Sequence, residues 1–427
     1  MGKKYKVIIR KVKQYEPSSI KEIIKSGLEE LNLIEKAKGR ITIKPNVVMA
    51  HPKIAPSGYT RPEFLDGLLE AIEEIKKDNF PITIAEKCGV GLPTTRMFKR
   101  AGYYQLKKKH KVKLVPIEES KKVKVPLKKG IIHKELKTAK EIIERDFLIY
   151  APKLKSNVLS QGLTAALKLN IGILLDKQRM WHHHYDLDDK IVDMLEIGYP
   201  DFIATDAIEI AVGGNQFTQH GRDLGVIIMS DNPLAHDVVC ANILHLKPNE
   251  INYLKKAHQR GYGPISLNEI EISGDISLDE IYQKTKHWEI GYKRVDQIDC
   301  NFKILCGEPY CIGGCNGVFL DWLYMIKDRK PKLFKNLPSW TVVIGKYEGD
   351  VTCDKLMIIG DCSEVKGEIS AKKIRRIKGC PPRHKDLVLK FFLKTGILNP
   401  LFRLDLIIDA YFFLFLSWLK RLVTGRW

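Results

Sequence analysis

Apolar residues follow two rhythms over the first two-thirds of the chain. Residues 6–11, 40–44, 81–85, 112–117, 147–150, 202–205 and 224–229 are short runs rich in Ile, Val, Leu and Phe, the length of buried strands. Between them, Ile20, Ile23, Ile24, Leu28, Leu31 and Ile34 recur at helical spacing across residues 18–35, and residues 62–77 and 233–246 read the same way. Strands alternating with amphipathic helices predict an α/β domain built on a mostly parallel sheet.

The pattern changes near residue 295. Strand-like runs at 301–305, 340–345, 356–360 and 374–378, with one helical stretch at 317–327, predict a second, smaller α/β module. The last segment changes again, to an apolar, aromatic tract with basic ends. Leu401, Leu404, Ile408, Phe412, Phe415 and Leu419 fall on one helical face, while Arg403, Asp405 and Asp409 interrupt any window long enough to span a bilayer. An amphipathic helix lying at a membrane interface or on a partner is expected, with packing back onto its own domain as the competing outcome. The division is therefore 1–295, 296–382 and 383–427.

Charge narrows the partners. The 427 residues carry 71 Lys and Arg against 51 Asp and Glu, a net +20, which favours an anionic partner without choosing among nucleic acid, lipid surface or small molecule. Residues 99–140 concentrate 15 of these cations against 3 Glu. Residues 107–113 and 121–129 read there as basic strands or loops, a solvated edge ribbon. No aromatic residue interleaves after Tyr104 to stack on bases, which disfavours nucleic acid. Nine cysteines are too few for a disulfide-built domain, and the basic N-terminus has no apolar run of signal-peptide length. A cytoplasmic address, with peripheral membrane contact through the tail, follows as the expectation. No G-x-G-x-x-G, Walker A, G-x-S-x-G or H-E-x-x-H motif occurs, and Val212-Gly213-Gly214-Asn215 is no dinucleotide fingerprint.

Two cysteines precede residue 300 and seven lie between Cys300 and Cys380. Cys306, Cys311 and Cys315 follow one predicted strand, Gly360-Asp361-Cys362 ends another, and Gly379-Cys380-Pro381-Pro382 ends a third. In an open parallel sheet those ends share an edge, so thiolates far apart in sequence can converge there. A thiolate set suits an iron–sulfur cluster or zinc, and zinc is the lesser expectation because paired CxxC knuckles are missing. The Gly-x-Cys and Gly-Cys-Pro groups resemble the flavodoxin-like [4Fe–4S] domain of the nickel–iron hydrogenase small subunit and of the equivalent complex I subunit. That resemblance implies a [4Fe–4S] cluster on Cys311, Cys315, Cys362 and Cys380. The wider Cys311-x3-Cys315 spacing leaves Cys306 a rival to Cys311.

The first domain offers charged groups where predicted strands end: Lys44, Glu86, Lys153 and Asp206. Such residues line the usual ligand cleft of a parallel sheet, lysines clamping an anion and a carboxylate serving as base or metal ligand. The segments Ile43-Lys44-Pro45-Asn46, Tyr59-Thr60-Arg61-Pro62, Ala85-Glu86, Ala151-Pro152-Lys153-Leu154-Lys155, residues 162–172 (GLTAALKLNIG, with Lys168), Arg179-Met180-Trp181-His182-His183-His184 and Thr205-Asp206-Ala207 together resemble the domain of unknown function 362, over about residues 38–265. A more distant likeness is to the N-terminal domain of nickel-dependent lactate racemase. The family resemblance implies a fold but no established reaction; Lys168, within its motif, joins the candidate catalytic set, and so does His182 of the His182–His184 run, as an anion contact or proton donor ahead of a metal ligand. The expected function is an iron–sulfur oxidoreductase acting on a small anionic substrate with an electron-transfer partner. The alternatives are a cluster carrier or maturation factor, and a nucleic-acid-binding protein with a structural metal.

Overall fold

The computed structural model describes residues 5–158, 162–181, 186–291, 293–308 and 312–426. His182 and Cys311 lie outside the described residues.

The first unit contributes strands β1 (Tyr5–Lys11), β2 (Ile41–Pro45), β3 (Thr83–Glu86), β4 (Lys113–Pro116), β5 (Lys122–Pro126), β6 (Glu135–Ala139), β7 (Phe147–Ala151), β8 (Lys153–Asn157), β9 (Gly162–Thr164), β10 (Phe202–Val212), β11 (His220–Ser230) and β12 (Ile270–Gly274). The main sheet runs β12-β1-β11-β10-β7-β2-β3-β4, with β8 pairing β10 and β9. Along this path only β11 is antiparallel to its neighbours, so the sheet is mostly parallel, as the alternating pattern predicts. Both faces are covered: Val7, Ile9, Val226 and Ile228 belong to one apolar core, Ile8, Ile227 and Met229 to the other. Full burial explains why these strands read as continuous apolar runs. The helix Pro17–Glu30 buries Ile20, Ile24 and Leu28 and lies against the helix Pro62–Ile75.

Two expectations fail here. Residues 107–110 are not a strand or loop, though 111–113 are: Lys107, Lys108 and Lys109 occupy the last turn of the helix Tyr103–His110, where cations complement the helix dipole, and Lys113 opens β4. And β10 does not stop at Thr205; Asp206 sits inside it because Tyr15 and Lys153 satisfy its carboxylate. Residues 122–126 do form a ribbon, pairing with β6 away from the main sheet.

The second unit holds β13 (Phe302–Gly307), β14 (Trp340–Tyr347), β15 (Val351–Val365) and β16 (Ile369–Ile377), in that order and all parallel. The expected flavodoxin-like plan would carry a helix in every crossover. Only β13 to β14 does, through the helices Gly317–Arg329 and Pro331–Lys335. Residues 348–350 and 366–368 are three-residue links, far too short to return a chain to the start of a flat parallel neighbour. Instead Lys346 pairs with Glu364, Val351 with Ile369, Leu356 with Ile374 and Ile359 with Ile377, each partner 18 residues further on. The chain winds as a short coil whose successive turns stack in parallel. Val343, Val351, Leu356 and Ile358 fill its interior, and Val342, Ile344, Met357 and Ile359 face outward onto the flanking helices. The class remains α/β.

The helix His384–Thr395 packs Leu387, Val388 and Phe391 into this second core. The tail then continues helically from residue 404 to 423, with a π turn at Asp409–Phe413, and returns to the first unit. Asp409 pairs with Arg96 and Arg100, Asp405 with His51, and Ser417 and Lys420 with Glu119. No helix among the described residues is long and apolar enough to cross a membrane.

Candidate functional site

A cavity of about 730 Å³ opens between the strand ends of the first unit, the second unit and the tail. That volume lies within the roughly 300–1,000 Å³ of small-molecule sites. Lys44 and Asn46 reach it from the end of β2, Glu86 from the end of β3 and Lys155 from β8. Lys168 comes from the short helix Ala166–Leu169 and Arg179 from the helix Asp176–Met180. Glu86 is the single carboxylate residue among the described lining residues.

Lys44 Nζ donates to Glu86 Oε2 at 2.9 Å, and both side chains are almost wholly buried. Burial pushes the lysine down and the carboxyl up from their ordinary values, against the attraction between the two charges. Gly172 lies directly over the pair; a methyl group there would overlap Glu86 Oε1 and approach Lys44 Nζ at 2.6 Å. Lys155 donates to Gly58 O at 2.9 Å and Asn46 Oδ1 at 3.3 Å, and burial with the neighbouring Lys153 lowers it to about 8. Lys168 donates to Thr164 Oγ1 at 3.2 Å. Burial, then Lys155 and Arg179, hold it well below the usual lysine value. Its helix is fixed by Asp237, whose carboxylate accepts from Ala166 N and Leu167 N at 2.8 and 2.9 Å. Arg179 is anchored by Cys88 O at 2.8 Å.

Lys153 and Asp206 meet elsewhere. They pair at 3.1 Å with neither side chain exposed, and Tyr15 bonds both: its hydroxyl donates to Asp206 Oδ1 at 2.7 Å and accepts from Lys153 at 2.6 Å. Neither residue lines the cavity. The structure thus gathers Lys44, Glu86 and Lys168 and sets Lys153 and Asp206 in a separate buried cluster. Lys155 and Arg179 were inside the motifs quoted above but carried no role there. For Lys155 the signal was a second lysine two positions after Lys153; for Arg179 it was only its place in the Arg179-Met180-Trp181 segment.

The thiol groups lie beside the same cavity. Asp361 N donates to Gly379 O at 3.2 Å and Gly379 N to Asp361 Oδ1 at 3.0 Å, tying the two glycine–cysteine turns together. Partial burial, then the neighbouring Cys362 and Asp361, raise the Cys380 thiol above its ordinary value. Gly360, at φ +105°, leaves the space that Cys315 Sγ occupies; a Cβ there would lie 2.6 Å from the sulfur. Pro381 and Pro382, which follow Cys380, and Val318, three residues beyond Cys315, line the cavity. Cys306, on β13, packs against the second core, and β13 lies three strand spacings, about 14 Å, from β16. Among the described residues no three His, Cys, Asp or Glu side chains converge tightly enough to hold a metal ion. Cys315, Cys362 and Cys380 are of the ligand type a thiophilic centre takes, and Cys311 lies outside the described residues.

Asp321, fully buried on the helix Gly317–Arg329, joins the units at the cavity rim. Its carboxylate accepts from Asn215 Nδ2 at 2.9 Å and Phe217 N at 3.2 Å, and bonds His384 Nε2 at 2.8 Å.

No curated protein matches the chain. Among solved structures, the lactate racemase apoprotein from Thermoanaerobacterium thermosaccharolyticum is similar at 16% identity and a TM-score of 0.35, over 56% of this chain and 57% of that one. Residues 41–242, which carry Lys44, Glu86, Lys155, Lys168 and Arg179, match the family model described as a domain of unknown function (DUF362).

Proposed function

We propose that the protein is an enzyme that binds a small anionic substrate in the cavity and carries an iron–sulfur cluster on the thiols beside it. One observation carries the anion: Lys44, Lys155, Lys168 and Arg179 converge on one cavity whose described lining has a single carboxylate residue, already paired with Lys44. Cations desolvated this far bind a carboxylate or phosphate more strongly than surface lysines do. Lys155, at about 8, stays charged at neutral pH and holds the anion. Lys168, held well below the ordinary lysine value by burial, Lys155 and Arg179, is the group placed to exchange a proton with the substrate.

Cys315, Cys362 and Cys380, with Cys311, would hold the cluster, and zinc is the lesser expectation for the same thiols. A bound [4Fe–4S] cluster supplies single electrons, which an electron-transfer partner would deliver or collect. Anaerobic purification should give brown protein with about four irons and matching sulfide. Cys362→Ser or Cys380→Ser should lose the iron and Cys353→Ser should keep it. Stoichiometric zinc without sulfide ends the redox reading. Binding of inorganic phosphate should weaken at least tenfold in Lys155→Ala; equal binding by both proteins ends the anion reading.

The exposure of Cys380 favours a second reading, a carrier that hands its cluster to another protein. Transfer to an iron chelator within minutes would separate it from an enzyme, which keeps its cluster.

A further inference from the structure

The tail helix docks the wrong way round for a soluble protein. Its polar side faces inward, where Asp409 is buried between Arg96 and Arg100, and Ser417 and Lys420 bond Glu119. Its apolar side faces outward: Leu404 is 73% exposed, Phe412 and Phe415 are 55%, and Ile408, Trp418, Leu419 and Leu422 are exposed as well. An exposed apolar surface of this extent marks a contact site. The acids that would repel an anionic surface are turned into ion pairs, Asp405 with Arg403 and Asp409 with Arg96 and Arg100. Cations stay near the rim: Lys385 lies 4.4 Å from the centre of the Tyr411 ring, Arg421 lies in the last turn of the helix and Arg426 follows its end.

The outer face is continuous with the cavity. Leu401, Leu406, Ile407 and Ala410 of the tail form its apolar wall, and Leu389, Phe402 and Tyr411 belong both to that wall and to the exposed surface. The cationic floor of Lys44, Lys155, Lys168 and Arg179 belongs to the first unit. The site is therefore graded, charged where the strands end and apolar where the tail opens to the outside.

We infer that the ligand is an amphiphile, an anionic head on a long hydrocarbon chain, drawn from an anionic lipid surface on which the tail helix rests. This rests on the anion-binding reading of the cavity. The head displaces water at the cationic floor, and the chain lies along the tail wall toward the exposed aromatic residues. An apolar face flanked by cations is the composition of helices that lie in the bilayer interface.

The test uses the full chain with alkyl phosphates below their micellar concentrations. Dodecyl phosphate should bind at least tenfold tighter than butyl phosphate, since each buried methylene contributes a factor of about four. Phe402→Gln should cost the long-chain probe more than the short one, and Lys155→Ala should weaken both. Equal affinity for the two probes overturns the amphiphile and leaves the anion site standing. Failure to bind either probe or inorganic phosphate overturns the cavity reading beneath it. In flotation, the protein should rise with vesicles containing one part phosphatidylglycerol to three of phosphatidylcholine, and Phe412→Glu with Phe415→Glu should stay behind. A wild-type chain that stays behind overturns delivery from a membrane.

Discussion

Lys155 shows what burial does to a single cation. Out of water, with only amide oxygens as partners and Lys153 nearby, its proton is held to about pH 8, where an exposed lysine keeps it to 10.5. Below about 8 it is an ammonium facing the cavity, so anion affinity should fall as pH rises through that value. Lys155→Arg should flatten the profile, because a guanidinium stays charged, and titration calorimetry across pH 6.5–9.5 would read both. The unfolded chain holds this proton up to 10.5. The unliganded fold should therefore gain stability between about 8 and 10.5 from this group. Lys44 and Glu86 behave as one unit. Lys44→Met alone strands a buried carboxyl, as Glu86→Leu strands a buried amine, and each should destabilise the fold by about 3–5 kcal/mol in urea unfolding. The double variant should recover much of that loss, which two independent residues would not.

At the scale of elements, the tail helix depends on two arginines. Asp409 is buried against Arg96 and Arg100, so Asp409→Leu takes the carboxylate from Arg96 and leaves the largely buried Arg100 only the more distant Asp405, at 3.9 Å. The helix should detach, and trypsin should cut after Arg403 at least tenfold faster, with the rest of the chain intact. The coil of the second unit depends on spacing. Pairing 18 residues apart puts Gly360-Asp361-Cys362 directly beside Gly379-Cys380, which brings the thiols together without any helix between them.

Across the whole molecule, the cavity exists only because two units and the tail close on one another. Asp321 is the polar pin of that junction, bonded to Asn215, Phe217 and His384 and fully buried. Asp321→Leu removes the bonds and leaves Asn215 Nδ2 with only Gly317 O as a partner. Calorimetry should then resolve two melting transitions in place of one, and phosphate affinity should drop as the rim opens.

Periodicity in the chain determined seven strands and three helices of the first unit, its mostly parallel sheet and the apolar strands of the second sheet, because full burial writes itself as unbroken apolar runs. The sequence also placed Lys44 and Glu86 at the ends of β2 and β3, since a charge after such a run marks where the chain leaves the core. Tertiary structure alone decided the rest. Asp206 looked like a strand end and lies inside β10, because Tyr15 and Lys153, far away in sequence, satisfy it. Residues 107–113 were basic enough to pass for an edge ribbon, yet lysines in a last helical turn are stabilised by a dipole that composition does not reveal. The coil was hidden because short parallel links leave the same apolar runs as a flat sheet. The outward face of the tail could not be read from its amphipathic pattern, which fixes that two sides differ but not which one meets the protein; Arg96, Arg100 and Glu119, some three hundred residues earlier, made that choice by pairing with the polar side.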